Sequence, residues 1–386
     1  MRIALFSWES LHSIAVGGVA PHVTELAAAL QRAGNKVHVF TRMGKGQGHY
    51  EVIDGVHYHR CPFDTNPDFM AEMDNMCHSF AYHFFQTENV SGNFDIVHGH
   101  DWMTVNALAE IKNARGKKTV FTLHSTEYGR CGNVFHDGKS KDIRNLEGYG
   151  GFVADKLIAA SETIKKEAEW IYNFDDWKIA MIPNGVSLQK FNEPIDPWSV
   201  KKPHGVGVWD PVCLFVGRMV VQKGADLLLE AVPAVLAEFP GAKFFFVGDG
   251  YMRSGLEHRA WELGVQHASR FLGYVLDGDL TNFYKACDMV CIPSRNEPFG
   301  IVALEAWAAG KPIVVTHNGF DYVWHDVNGL KVYDNPNSIA WGIKSLFSDL
   351  EKGRWMGSNG RKTAEGFSWD NIARMTMGVY EEILRW

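Results

Sequence analysis

Three things are scarce in this 386-residue chain: surplus positive charge, clustered cysteine and long apolar runs. Its 38 lysines and arginines face 45 acidic residues, a net charge of −7. Nucleic-acid binding generally leaves a basic footprint, so this balance argues against that class. The six cysteines (Cys61, Cys77, Cys131, Cys213, Cys287 and Cys291) are scattered. The tightest pair, Cys287 and Cys291, is followed by no second pair or histidine cluster at zinc-finger spacing. They read as reduced thiols, and a cytoplasmic protein is expected. No stretch reaches the roughly 18 consecutive apolar residues of a spanning helix. The opening "MRIALFSWES" runs directly into a strand pattern with no basic leader. The triplet "NVS" at 89–91 therefore carries no weight as a glycosylation signal.

What is present is alternation. With 46% hydrophobic residues the chain can bury the cores of two or three domains. "RIALFS" precedes a helical "APHVTELAAALQRAG", with Gly34 as a stop, and "NKVHVFT" follows. "FDIVHGH", "KTVFTL", "KLIAAS" and "KIAMIP" continue the series with helices between them, the βα alternation of a parallel sheet covered on both faces. The proline-rich stretch 192–210 reads as a linker. A second set then begins with "VCLFVG", "AKFFFVG", "DMVCIP" and "KPIVVT". The expected architecture is α/β, two doubly wound Rossmann-like domains at 1–194 and 195–368 facing a central cleft, with ligands at the carboxyl ends of the strands. The helix pattern at 69–85 stripes Phe69, Met73, Met76, Phe80 and Phe84 on one face. Its other face carries Glu72, Asp74 and Asn75 rather than the lysines of a membrane-surface helix, so it reads as core.

Chemistry gathers at strand ends. "VGRMVVQKG" presents Arg218 and Lys223 where a strand turns into a helix, two cations suited to a diphosphate. The alternative is a pair of solvated charges. "VGDGYMRSG" places Gly248, Asp249 and Gly250 in a partial dinucleotide fingerprint, with Arg253 at the sixth position where the pattern wants glycine. "NEPFGIVALE" sets Glu297 before a helix and Glu305 within it, with Phe299, Gly300 and Ile301 offering amides to an anion. A carboxylate avoids phosphate, so the two glutamates read as acceptors for hydroxyls on either side of a diphosphate, one for a sugar and one for a ribose. Gly17-Gly18 lies before a helix, where bare backbone can approach phosphates. His98 and His100 close the strand "FDIVHGH"; they are either ordinary strand-end residues or the source of one imidazole beside the sugar. No further ligands lie near them in sequence, and no metal is expected there. "DGD" at 277–279 stands before a helix, where capping and first-turn acids explain it.

Taken together, "VGGVAPHVTELAAAL", "VHGHDW", "TLHSTEYG", "IPNGV", "FVGRMVVQKG", "VGDG", "FLGYV" and the spaced pair Glu297–Glu305 resemble the retaining glycosyltransferases of the GT-B fold, family four, over nearly the whole chain. The resemblance implies that Gly17 and Gly18 approach the donor diphosphate and that His100 lies by the transferred sugar. Arg218 and Lys223 would hold phosphates, Glu297 sugar hydroxyls and Glu305 the ribose, while Gly273, Tyr274 and Val275 would line the base pocket. Asp249 and Gly250 would belong to the donor site too. The segment 369–386 would cross back onto the N-terminal domain.

The implied reaction is transfer with retention, without cofactor or metal. No residue shows a nucleophile's pairing with an adjacent base, which favours front-face displacement assisted by the donor phosphate. "HDW" and "HSTEYGR" look most like the glycogen- and starch-synthase branch, implying transfer of glucose to an α-glucan. Bacterial glycogen synthases carry lysine where this chain has Ala15, so ADP-glucose and UDP-glucose both stay open as donors. Sucrose-phosphate-type synthesis, another small acceptor, a nucleotide-sugar epimerase and a non-catalytic binder are the alternatives. A lipid acceptor fits less well, because the N-terminal half is slightly acidic and lacks a basic amphipathic helix.

Overall fold

A computed structural model describes the backbone of all 386 residues and every side chain except that of Asp277. Contacts divide the chain into two compact units, Met1–Gly185 with Trp369–Trp386, and Val186–Ser368.

The first unit is built on eight strands: β1 (Arg2–Ser7), β2 (Lys36–Arg42), β3 (Tyr50–Ile53), β4 (Val56–Cys61), β5 (Ile96–His100), β6 (Lys118–Leu123), β7 (Lys156–Ala159) and β8 (Ile179–Met181). Their order is β3-β4-β2-β1-β5-β6-β7-β8. All neighbours are parallel except β3 with β4. That edge hairpin turns at Asp54-Gly55, both at positive φ (52° and 80°), as an Asp-Gly two-residue turn demands. The central strands β1, β2, β5 and β6 are almost wholly buried on both faces, so apolar residues occupy both, interrupted by buried histidines and threonines such as His38, His98 and Thr122. The helix Phe69–Ser91 begins at Asp68, whose side chain caps Met70, and extends past the expected end. Its Phe80 and Phe84 pack on Phe6, with Phe40 stacked against Phe6 at 4.9 Å. It is a core helix. The helix Trp369–Leu384 completes this unit, burying Trp369, Ile372, Tyr380 and Ile383 in one cluster with Ile3, Leu5, Val23 and Leu26.

The second unit holds β9 (Val212–Val216), β10 (Lys243–Val247), β11 (Ser269–Gly273), β12 (Met289–Ile292), β13 (Ile313–Thr316) and β14 (Leu330–Val332). Their order is β11-β10-β9-β12-β13-β14, all parallel. Phe215, Phe244, Phe246, Leu228 and Val232 centre its core. The chain enters this unit at Val186, earlier than the expected boundary at 194/195, because Val186 pairs with Ser368 and Phe191 packs on Tyr284. Nor is 192–210 a free linker. Pro197 and Pro203 stand at helix starts, where a missing N–H costs nothing: Asp196 caps Pro197–Lys201, and Lys201 bonds Asp288 at 2.8 Å. No described helix is long and apolar enough to cross a membrane.

Each sheet reverses its direction of growth once, between β1 and β5 in the first unit and between β9 and β12 in the second. Ligands of such sheets bind outside the carboxyl ends at this point. Gly17-Gly18 follows β1, His98 and His100 close β5, Arg218 and Lys223 follow β9, and Glu297 to Glu305 follow β12, while the remaining candidates of the second unit lie at the ends of β10 and β11.

Candidate functional site

In the second unit the loops after β9, β10 and β11 are stitched by backbone. Gly217 N–H donates to Val247 C=O at 3.0 Å, Gly248 N–H to Gly273 C=O at 2.8 Å, and Met219 N–H to Asp249 C=O at 2.8 Å. A Cβ on Gly248, at φ 124°, would lie 2.0 Å from Gly217 O. The partial fingerprint therefore reflects one strand-end loop crossing another. Asp249 accepts from the Gly250 amide at 2.7 Å and from Arg253 at 3.3 Å, so the arginine standing at the fingerprint's sixth position braces the loop. Beyond Gly273, at φ 70°, Tyr274 is exposed and Val275 half-buried.

Two cations and two glutamates flank this scaffold. Arg218 is exposed, with no hydrogen bond or ion pair to its side chain among the described residues. Lys223 ends a single 3-10 turn, Val221–Lys223, held by Arg295, which donates to Val221 O at 2.7 Å and to Asp226 at 2.9 and 2.6 Å. From there Lys223 Nζ reaches both carboxylate oxygens of Glu297, each at 2.8 Å. Glu297 is buried and takes a third bond from Ser294 Oγ at 2.8 Å. The residues expected at phosphate and at sugar are thus joined to each other. Tyr322 donates to the carbonyls of Phe299 (2.6 Å) and Gly300 (2.8 Å), fixing the turn into the helix Ile301–Ala308. Gly300 sits there at φ 88°. Glu305, one turn into that helix, is half-buried and accepts from Tyr284 at 2.6 Å, so it is no solvated surface charge. Asp279 lies in the first turn of the helix Asp277–Ala286, where an acid suits the helix dipole; the side chain of Asp277 lies outside the described residues.

In the first unit, the loop after β1 turns back on itself. Glu9 is buried and accepts from the amides of Val16 and Gly17, each at 2.6 Å. Burial raises its pKa, and those two amides oppose the rise. The Gly17 N–H, expected to be bare toward a phosphate, is engaged by this carboxylate. Gly18 follows as the N-cap of Val19–Arg32, whose first amides lack intrahelical acceptors.

His98 and His100 part company. His98 is structural, bonded to Tyr380 and Thr122 at 2.7 Å each. His100 meets His124 at 3.1 Å, Nδ1 to Nε2, with the ring of His22 5.3 Å away. Burial holds all of these imidazoles neutral: His124 falls to about 3, and His22, His98 and His100 lie well below the usual value. Asp101, next in sequence, adopts φ 60°, a strained setting for a residue with a Cβ. There it accepts from the His124 amide at 2.9 Å, tying the end of β5 to the end of β6. Burial lifts its carboxyl to about 6, against the pull of Arg130.

The sequence reveals neither Glu9 and Ser294, which lie near their partners in sequence but carry no pattern that marks the bond, nor Tyr284 and Tyr322, partners from more than twenty residues away. His22 and His124 were hidden for the same reason, and they supply the neighbours that His100 lacks in sequence.

Residues 198–363 match the family described as glycosyl transferases group 1, and residues 16–190 match glycosyltransferase family 4. An uncharacterised glycosyltransferase of Methanocaldococcus jannaschii, MJ1607, is 38% identical across 99% of this chain and 98% of its own length. A glycogen synthase of Mycobacterium tuberculosis is 27% identical across 98% of this chain and 94% of its own. Among solved structures, a sucrose-phosphate synthase from Thermosynechococcus elongatus superposes with a TM-score of 0.85 at 23% identity, covering 100% of this chain and 99% of that one. That likeness concerns the fold alone.

Proposed function

We infer the activity from a plain premise: the chain belongs to the family 4 glycosyltransferases of the two-domain GT-B fold, enzymes that use nucleotide sugars. It transfers a hexosyl group, glucose, from ADP- or UDP-glucose to an α-glucan or related sugar, with retention of anomeric configuration. The observation that carries this reading is the Lys223–Glu297 pair with Arg218 unpaired in the same strand-end scaffold. An ammonium group has three protons and a carboxylate about four acceptor sites. Two of the three protons face Glu297, which leaves one for a phosphate oxygen. Lys223 and Ser294 leave the carboxylate acceptor capacity for sugar hydroxyls. Lys223 also screens the carboxylate from the diphosphate, removing the repulsion that would otherwise forbid the arrangement.

The same pairing bears on mechanism. A carboxylate gripped by an ammonium through both oxygens is a poor nucleophile, which supports displacement on a single face. The bond from the sugar to the diphosphate breaks as the acceptor oxygen bonds the anomeric carbon. The acceptor's proton passes to a donor phosphate oxygen, and Arg218 and Lys223 stabilise the departing charge. Glu305, steadied by Tyr284, holds the ribose.

The test is a donor screen by thermal shift with ADP-, UDP- and GDP-sugars, followed by acceptor trials with linkage read by NMR. UDP-glucose comes first, because Ala15 offers no charge beside the glycine pair. Transfer of glucose to a glucan or small sugar is expected. Failure to bind any nucleotide sugar would overturn the reading, and so would an isomerised sugar released without acceptor, the mark of an epimerase. Arg218→Ala should weaken nucleoside diphosphate binding by about 1.5–3 kcal/mol, the worth of a charge-assisted hydrogen bond; calorimetry showing unchanged affinity would remove it from the phosphate site.

A further inference from the structure

Scattered exposed apolar side chains need no explanation, but a contiguous group of them does. Tyr128, Phe135 and Trp170 come from three segments of the first unit: the short helix Glu127–Arg130 after β6, the loop beyond it, and the helix Glu162–Tyr172. Their rings meet pairwise, Tyr128 with Phe135 at 4.8 Å, Tyr128 with Trp170 at 5.3 Å and Phe135 with Trp170 at 5.6 Å. Phe135 is nevertheless 48% exposed and Trp170 63%, and Val134, next to Phe135 in sequence, is 51% exposed. Arg144 lies over the ring of Phe135 at 5.0 Å and donates to the His136 carbonyl at 2.7 Å. We propose that this three-ring platform binds a neutral oligosaccharide, the acceptor chain, by stacking against the apolar faces of its sugar rings.

The backbone that carries the rings is braced by a buried charge. Glu147, fully buried on the helix Lys139–Val153, accepts from the Glu127 amide at 3.0 Å and also from Arg130 and Tyr172. One carboxylate thus ties together the helices of Tyr128, Arg144 and Trp170, and a ligand arriving on the rings has little left to order. Area and charge select that ligand. Aromatic side chains carry about 150–250 Å² each, so the exposed parts of Val134, Phe135 and Trp170 come to about 300 Å². A stable protein partner needs roughly 800 Å² a side, whereas a few sugar rings need no more than the platform offers. Over 137–144 and 162–169 the charged residues are five basic and five acidic. Such a balanced rim holds no surplus for an anionic membrane or a nucleic acid. A neutral sugar brings no charge; its C–H face stacks on a ring and its hydroxyls bond the polar groups beside it. Tyr128 stands four residues beyond His124, so the platform continues outward from the carboxyl end of β6.

The inference rests on the reading of the acceptor as a sugar, and the experiment keeps the two apart. Binding of maltoheptaose to the full chain is measured without donor, by calorimetry. Saturable binding is expected in wild type, weakened at least about fivefold by Trp170→Ala and by Phe135→Ala. Trp341→Ala, which removes an exposed tryptophan of the second unit, should leave it unchanged. In transfer assays the two platform variants should raise the KM for maltoheptaose by a like factor. Circular dichroism checks that the variants are folded; if Trp170→Ala is not, Phe135→Ala carries the test. No binding by wild type overturns the platform, as does equal affinity in wild type and Phe135→Ala, or an equal loss in Trp341→Ala. Capture by vesicles of phosphatidylcholine and phosphatidylglycerol, abolished by Phe135→Ala, would overturn it too and make this face a membrane contact. Binding of maltoheptaose without transfer to it would count instead against the proposed reaction and leave the platform standing.

Discussion

Glu297 occupies a place where its charge needs the partner that Lys223 supplies, since an unpaired buried carboxylate is costly. Their bond predicts that the two glutamates fail differently. Glu297→Gln should impair donor turnover, because an amide offers sugar hydroxyls one acceptor fewer, a mismatch of about 1–3 kcal/mol. It should leave nucleoside diphosphate affinity unchanged or higher, because the freed Lys223 turns to phosphate. Glu305→Gln should weaken nucleoside diphosphate and intact donor alike. Calorimetry with both ligands on both variants decides; equal losses throughout would falsify the division of labour. The pair itself is visible in sequence, being eight residues apart around a glycine. The lysine that grips one member and the tyrosine that steadies the other are invisible there, because each arrives from more than twenty residues away. Glu9 is the sharpest example: nothing in "SWES" says that its carboxylate will close on the glycine loop.

At the level of elements, the crossing of strand-end loops is as important as the strands. Ala at position 248 would put a methyl group 2.0 Å from Gly217 O, and at φ 124° it would also strain the backbone. Gly248→Ala should therefore destabilise the second unit by about 2–4 kcal/mol and lower nucleotide binding with it. Urea melts read the first effect; an unchanged midpoint would show that the loops yield. The βα alternation is legible because periodicity is local, and the helix from 69 is legible because its aromatic stripe has a helical period. The short edge elements escaped. β3 and β4 flank an Asp-Gly turn signal, but β3 is four largely exposed residues, and in β4 histidines alternate with the buried Val56 and Tyr58, which blurs a strand pattern read by apolar residues alone. β14 is three residues long. The prolines after 192 misled, since the same residue that breaks a helix interior is welcome at its first turn.

Across the whole molecule, buried histidines set the response to acid. His38, His59 and His124 are pushed down to about 2, 4 and 3, with His22, His98 and His100 also well below the ordinary value, chiefly by burial. Above about pH 6.5 they are neutral in both folded and unfolded chains. As pH falls below that, the unfolded chain takes up protons first, so stability declines, by up to about 1.4 kcal/mol per pH unit for each such group. Asp101, raised to about 6, and Glu9, also raised, work the other way: folded, they hold a proton that the unfolded chain releases, so their contribution grows on acidification. His12, His57, His83 and His204 are lowered too, and Glu147 and Glu167 are raised. Among the described residues ten histidines thus stand against four carboxyls, a net loss, and the urea midpoint should drop between about pH 7 and about pH 5.5. His38→Gln should flatten that slope. A midpoint that holds steady over this range would show the histidines to be better solvated than their burial implies.

The helix Trp369–Leu384 belongs to the first unit although all of the second unit precedes it in the chain. This has a consequence for biosynthesis. On the ribosome the second unit, continuous from Val186 to Ser368, is complete before the first can close its core. Until residues 369–386 emerge, the surface destined for Trp369, Ile372, Tyr380 and Ile383 stays open, an aggregation hazard of the kind that unfinished domains present. A chain stopped after Ser368 should accordingly yield a folded, protease-resistant second unit joined to a first unit that is digested or sequestered by chaperones. Limited proteolysis of that truncated chain, with mass spectrometry of the surviving core, reads the order directly; a resistant fragment spanning 1–185 instead would reverse it.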